Sequence, residues 1–283
     1  MPSTELTLKI DSLSYGPYGI GRNEGQVILV PLTVPGDEAE VRISEEKNNY
    51  SVGELIRLIN PSPLRQNPPC PYVGQCGGCP WQQIVYEAQL AAKEKSLDDA
   101  LRRIGKLEGF ERLPILRSPK EYRYRRRIRL QADGRKRLGF HRAFSHELIE
   151  IDSCLIAEPA VERQLSHARE WLKRLRTQIQ HIELVASDAD GAVVLVGKAE
   201  GGFALEDDLA NSRFLADRGE ISGLILFGRG WRRSWGKEKI SIYPENGLTM
   251  EVDGKVFTQV NREGNSQLVH ELLQWGEFNS HDR

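Results

Sequence analysis

Four cysteines constrain this chain more than any other feature. Cys70, Cys76 and Cys79 stand in one loop, Cys70-Pro-Tyr-Val-Gly-Gln-Cys76-Gly-Gly-Cys79-Pro, and Cys154 lies far downstream. No thiol is left over, so the simplest reading is one four-cysteine metal site joining two distant segments. The amino-terminal stretch carries Glu5, Lys9 and Asp11 and lacks the apolar core of a signal peptide. No segment approaches the roughly eighteen apolar residues of a membrane span. Both points favour a cytoplasmic protein with no membrane partner, where structural disulfides are rare. Structural zinc stays open, although all-cysteine zinc sites usually pair two CxxC knuckles and only Cys76 and Cys79 form one. An iron–sulfur cluster needs thiolates on a loop able to wrap it, and Gly74, Gly77 and Gly78 between Pro71 and Pro80 supply a tight turn with exposed N–H groups. Spacing favours the cluster.

At 283 residues the chain is long enough for two or three domains. Residues 1–62 alternate short apolar runs (Leu6 to Leu13, Gln26 to Leu32, Glu38 to Ser44, Ser51 to Ile59) with turn signals at Gly16 to Gly21, Pro35-Gly36-Asp37 and Asn48-Asn49. That rhythm predicts a small antiparallel barrel of OB-like kind. Residues 63–110 hold the cysteine loop and a helix expected over Gln83 to Ile104, its apolar residues at helical spacing and Gly105 placed to end it. Residues 111–256 read as a central α+β domain with antiparallel sheets dominant. Its strands are expected at Arg125 to Leu130, Leu138 to His141, Leu148 to Ile151, Ile179 to Ala186, Val193 to Val196, Leu224 to Phe227, Ile240 to Tyr243 and Leu248 to Val252. A second helix is marked by Pro159 and the stripe Val161, Leu165, Ala168, Leu172, Leu175. Residues 257–283 carry one more helix, Leu268 to Trp275.

The formal net charge of −1 excludes a uniformly basic nucleic-acid binder, so any RNA contact must come from a local patch. One exists between Lys120 and Arg142, where ten Lys or Arg face only Glu121 and Asp133. Strand alternation sends Arg125, Arg127 and Arg129 to one face and Arg126, Ile128 and Leu130 to the other. A guanidinium row beside Tyr122 and Tyr124 could meet phosphates and stack on bases; equally, the arginines could pair with acidic residues elsewhere.

Several motifs together resemble one family. Gly19-Ile-Gly21-Arg22, Val30-Pro31 and Pro35-Gly36-Asp37 resemble a TRAM barrel. Cys70-x5-Cys76-Gly-Gly-Cys79 followed by Gln83, Tyr86, Gln89-Leu90 and Lys93, then Tyr122-Arg123-Tyr124-Arg125-Arg126-Arg127, Leu138-Gly139-Phe140, Ile151-Asp152-x-Cys154 and Phe257-x-Gln259-Val260-Asn261, are similar to class I S-adenosylmethionine-dependent RNA (uracil-5-)-methyltransferases that begin with a TRAM domain and carry a 4Fe-4S cluster. The resemblance implies RNA binding by Arg123, Arg125, Arg126, Arg127 and Arg129, cluster ligation by Cys70, Cys76, Cys79 and Cys154, and a contact from Gln259 to the methyl donor S-adenosyl-L-methionine. The target would be a uridine of rRNA or tRNA.

The family's Gly-rich donor-binding turn and its attacking cysteine have no counterpart. Methylation at C5 needs a thiolate that adds to the pyrimidine ring. Leu224-Ile-Leu-Phe-Gly228-Arg-Gly230 does not open an apolar-periodic helix and reads as a β-turn rather than a Rossmann turn. The histidines, His146 beside Ser145 included, form no evident acid–base cluster. The expectation is therefore an amino-terminal portion of such an enzyme, inactive by itself, with its catalytic Rossmann-like domain absent beyond a start at residues 257–283: either a truncated gene product or half of a split one whose companion chain carries the methyltransferase domain. A stand-alone, non-catalytic RNA-binding iron–sulfur protein is the alternative.

Overall fold

The computed structural model describes residues 4–244 and 247–276. The chain forms two compact units, Met1–Arg117 and Ser118–Arg283.

In the first unit, strands β1 (Glu5–Leu13), β2 (Tyr18–Asn23), β3 (Gln26–Pro31), β4 (Glu38–Glu46) and β5 (Tyr50–Asn60) close into a barrel of order β1-β2-β3-β5-β4. Alternate residues point inward, and Leu8, Ile10, Ile28, Val30, Ala39 and Val41 fill it. The barrel is not wholly antiparallel, because β3 and β5 run parallel with Val27 opposite Tyr50 and Leu29 opposite Val52. β2 falls where the sequence suggests only a turn. Its glycines serve close packing: a Cβ on Gly21 would sit 2.5 Å from the Lys9 carbonyl, and one on Gly19 would strike the Thr33 hydroxyl.

The Pro35-Gly36-Asp37 turn is locked by a buried carboxylate. Asp37 accepts from the backbone N–H of Val34 (2.6 Å) and of Ser62 (2.9 Å), and from Arg65 Nε (2.8 Å). After the cysteine loop comes α1 (Tyr86–Asp99), continued by one π-helical turn over Ala100–Ile104 that ends at Gly105. The expected helix begins three residues later than Gln83, since the Gln83 side chain turns back to the Pro80 carbonyl.

The second unit is built on a seven-stranded sheet of order β12-β11-β10-β9-β6-β7-β8. In chain order its elements are β6 (Arg127–Ala132), β7 (Leu138–His141), β8 (Leu148–Glu150), α2 (Pro159–Arg163), α3 (Leu165–Arg174), β9 (Ile179–Ala186), β10 (Val193–Ala199), α4 (Asp207–Asp217), β11 (Ile221–Gly228) and β12 (Trp231–Gly236). A hairpin, β13 (Lys239–Ile242) with β14 (Met250–Asp253), and the helix α5 (Arg262–Gly276) follow. Trp171, Leu172 and Phe214 are among the buried side chains of α3 and α4. Ile240 of the hairpin joins a core with Val185, Val194, Val196 and Ile225.

Every pairing in the sheet but one is antiparallel. β10 and β11 are parallel and joined through α4, a β-α-β unit. The sequence gives no sign of α4 because it has no apolar stripe; its first turn is held by Asp207, which accepts from the N–H groups of Arg176 and Thr177 at 2.8 Å each. The second helix expected after Pro159 is two helices, α2 and α3, broken at Gln164.

Candidate functional site

The arginine-rich strand and the Phe257 to Asn261 motif meet in the second unit. Alternation along β6 buries Ile128 and Leu130, with Arg126 just before the strand on the same side. Arg126 is only 4% exposed and its partner Asp188 1%. Its Nη1 donates to Asp188 Oδ2 (2.5 Å), its Nε to the Gln259 carbonyl (3.0 Å), and its backbone N–H to the Val260 carbonyl (3.0 Å). Arg126 is thus a structural residue, occupied by protein groups on each of these contacts. Asp188 also accepts from the Tyr243 N–H (2.9 Å) and lies 3.7 Å from Arg262.

The opposite face carries Arg127 and Arg129, which share one buried carboxylate. Glu183 on β9 accepts from Arg127 Nε (2.5 Å) and Arg129 Nε (2.7 Å). The Arg127 side chain is 10% exposed and also donates to the carbonyls of Val256 and Lys255, whereas the Arg129 side chain is 58% exposed. Next to them on β9 lies His181, whose imidazole is held below its ordinary value first by burial and then by Arg129.

Arg123 pairs with Glu162, and the other oxygen of Glu162 accepts the Cys154 N–H (3.1 Å). Arg125 is half-buried; its backbone N–H bonds to the Ile156 carbonyl. The side chain of Gln259 is exposed, and only its carbonyl takes part in the Arg126 contact. Asn261 caps α5, its Oδ1 accepting the Gly264 N–H at 2.9 Å. Beside α5 opens a cavity of about 760 Å³ whose walls include Tyr243, Arg262, Gln267 and His270. Glu183, Asp188 and Glu162, the carboxylates that organise the site, carry no signal in the sequence beyond their charge.

None of the four cysteines is in a disulfide. Within the first unit, Cys76 accepts the Gly78 N–H at 3.4 Å, and burial pushes its thiol up, with Cys79 and Cys70 adding to the rise. Cys154 is buried in the second unit. Among the described residues no three His, Cys, Asp or Glu side chains are grouped so as to hold a metal ion. His141 and His146 do come together, with ring centroids 5.5 Å apart, a pairing not legible from the sequence.

Residues 1–56 match the TRAM domain. The chain is 31% identical, over its whole length and 63% of the relative's, to a 23S rRNA (uracil(1939)-C(5))-methyltransferase of Pectobacterium atrosepticum. It is 31% identical, over 95% of its length and 65% of the relative's, to an uncharacterized RNA methyltransferase of Thermosynechococcus vestitus. The chain is thus similar, over nearly all of its own length, to proteins named as RNA methyltransferases. Its fold matches that of a Pyrococcus abyssi tRNA (uracil-54, C5)-methyltransferase solved with S-adenosyl-L-homocysteine, at a TM-score of 0.69 and 22% identity, over 94% of this chain and 64% of that one.

The chain spans a little under two thirds of the length of these methyltransferases. The matches nevertheless overturn the expectations of an inactive amino-terminal portion and of a non-catalytic RNA-binding protein. Relatives named as methyltransferases align with 95% to 100% of the chain, and a methyltransferase fold with 94% of it. The fold class defined by an absent Rossmann-like domain is corrected on the same ground. A companion chain finds no support, since each relative carries the matched segment within one longer chain. No described helix is long and apolar enough to cross a membrane.

Proposed function

We propose that this protein serves the methylation of uridine at C5 in rRNA or tRNA, in the cytoplasm, with S-adenosyl-L-methionine as donor. The observation that carries the reading is the Arg126 clamp, which fixes the Phe257 to Asn261 segment against β6 and leaves the Gln259 side chain exposed. The similarity, over the whole of this chain, to a 23S rRNA (uracil(1939)-C(5))-methyltransferase supports it. In this reading Gln259 contacts the methyl donor, Arg123, Arg125 and Arg129 face RNA phosphates, and Arg126 and Arg127 hold those groups in place. Disrupting the gene and mapping 5-methyluridine in rRNA and tRNA by mass spectrometry tests it. Loss of the mark at one position is expected; an unchanged map in both RNAs would refute it.

Cys70, Cys76, Cys79 and Cys154 are proposed as ligands of one 4Fe-4S cluster. The support is chemical, four thiols outside any disulfide with an N–H group directed at the Cys76 sulfur, although the described side chains are not drawn together around a metal. When bound, the cluster would supply an architectural rather than a redox function, since methyl transfer by this route has no redox step.

A further inference from the structure

The far edge of the seven-stranded sheet carries a second group of aromatic and basic side chains, separate from the arginine strand. β12 is the edge strand, and Trp231, Arg233 and Trp235 share one of its faces, with Arg232 and Ser234 on the other. The ring of Phe203, from the loop before α4, lies between the two indoles, at 5.5 Å from Trp231 and 6.0 Å from Trp235. Both indoles are fixed by their N–H groups, Trp231 to the Gly201 carbonyl (3.0 Å) and Trp235 to Asp208 Oδ1 (2.9 Å). All three rings remain half-exposed.

The two faces of β12 differ in charge balance. Arg232 is neutralised by Asp253 and Glu238. Arg233 instead places its guanidinium 5.9 Å over the Phe203 ring, and neither it nor the exposed Arg229 has a carboxylate partner among the described residues. Most surface arginines of this chain do pair, as Arg42 with Glu5, Arg57 with Glu40 and Arg142 with Glu147 illustrate. Oriented rings with unpaired guanidiniums alongside are what unstacked bases and their phosphates require.

We infer that Phe203, Trp231 and Trp235, with Arg229 and Arg233, form a stacking platform for a single-stranded segment of RNA. The inference rests on the reading that the protein acts on RNA, and it adds a second contact remote in sequence from Arg123 to Arg129. Bases would lie on the indole and phenyl faces while the two arginines meet the backbone, so the platform would favour unpaired over duplex RNA and show little base preference.

The test uses the full chain and a short fluorescein-labelled oligouridylate, compared with a blunt RNA duplex of equal length. Phe203→Leu and Arg233→Glu should each weaken oligouridylate binding by about tenfold and leave duplex binding unaltered. Ultraviolet crosslinking should place the oligonucleotide on the peptide containing Trp231 to Gly236. Unchanged oligouridylate affinity in both variants would overturn the platform. So would a loss of concentration-dependent self-association in the variants with RNA binding intact, because the nearby exposed Leu205 and Leu209 would then belong to a contact between copies. The outcome is independent of the 5-methyluridine map: a lost platform with a lost mark in disrupted cells leaves the methylation reading standing, and the converse leaves the platform.

Discussion

Arg126 reaches across 133 residues of sequence to donate from Nε to the carbonyl of Gln259 at 3.0 Å. The same guanidinium holds Asp188, so one buried cation joins β6, the β9–β10 turn and the segment leading into α5. Removing it strands a buried carboxylate. Arg126→Gln should lower stability by about 3–5 kcal/mol, read from urea unfolding. It should also raise hydrogen exchange at Val260 and Asn261; protection there equal to that of the parent would show that the clamp does not hold the motif.

Asp37 plays the corresponding part in the barrel, where it satisfies two backbone N–H groups and Arg65. Asp37→Ala leaves the largely buried Arg65 and both amides without partners, at a cost of about 3 kcal/mol or more. A urea midpoint indistinguishable from that of the parent protein would contradict this account.

Salt dependence separates the arginines. Arg129 is the exposed member of the pair that shares Glu183, so Arg129→Gln should reduce the log–log salt slope of RNA binding by about 1. Arg127, largely enclosed, should change stability more than slope. The measurement is a fluorescence titration at several salt concentrations, and a slope unaffected by Arg129→Gln counts against its phosphate contact.

His181 predicts a pH effect of defined sign. Its folded pKa is depressed by burial and by Arg129, with Lys198 and Arg127 acting the same way and Glu183 opposing them. The unfolded chain therefore takes up the proton first as pH falls. Stability from this group is complete above the ordinary imidazole value of 6.5 and declines as pH drops through it toward the lower folded value. In His181→Gln that part of the decline should vanish, seen as a shallower fall in urea midpoint between about pH 7.5 and 5. Parallel curves for the two proteins would rule it out.

The cysteine assignment is tested by iron. Protein purified without oxygen should be brown and carry about four irons per chain, and Cys76→Ser should lose both colour and iron. Stoichiometric zinc with no iron would replace the cluster with a structural zinc site.

Much of the site was legible where a local pattern dictates position. The alternation Arg126, Ile128, Leu130 against Arg127, Arg129 is followed by the strand, because burial of Ile128 and Leu130 fixes the register. What the guanidiniums meet was not legible. Glu183 and Asp188 are brought in by pairing with β9 and by its following turn, and such long-range partners leave no periodic trace. β2 was hidden by glycines that look like turn residues yet exist because β1 lies too close for a Cβ. β12 was hidden because arginines occupy both of its faces, which erases the apolar alternation that marks a strand. α4 shows the same failure for helices, its position being set by Asp207 and Phe214 rather than by a stripe.

The parallel pairing of β3 with β5 bears on how the barrel is made during translation. β5 is the last of the five strands to be synthesised, and it alone bridges β3 to β4. Until Tyr50–Asn60 emerges, both of those strands present open edges around an uncovered set of aliphatic side chains, so the preceding segment has no partially sealed form to occupy. A nascent chain stalled ahead of Asn60 accordingly keeps those two edges unpaired, and the barrel can close only once its last strand has been made.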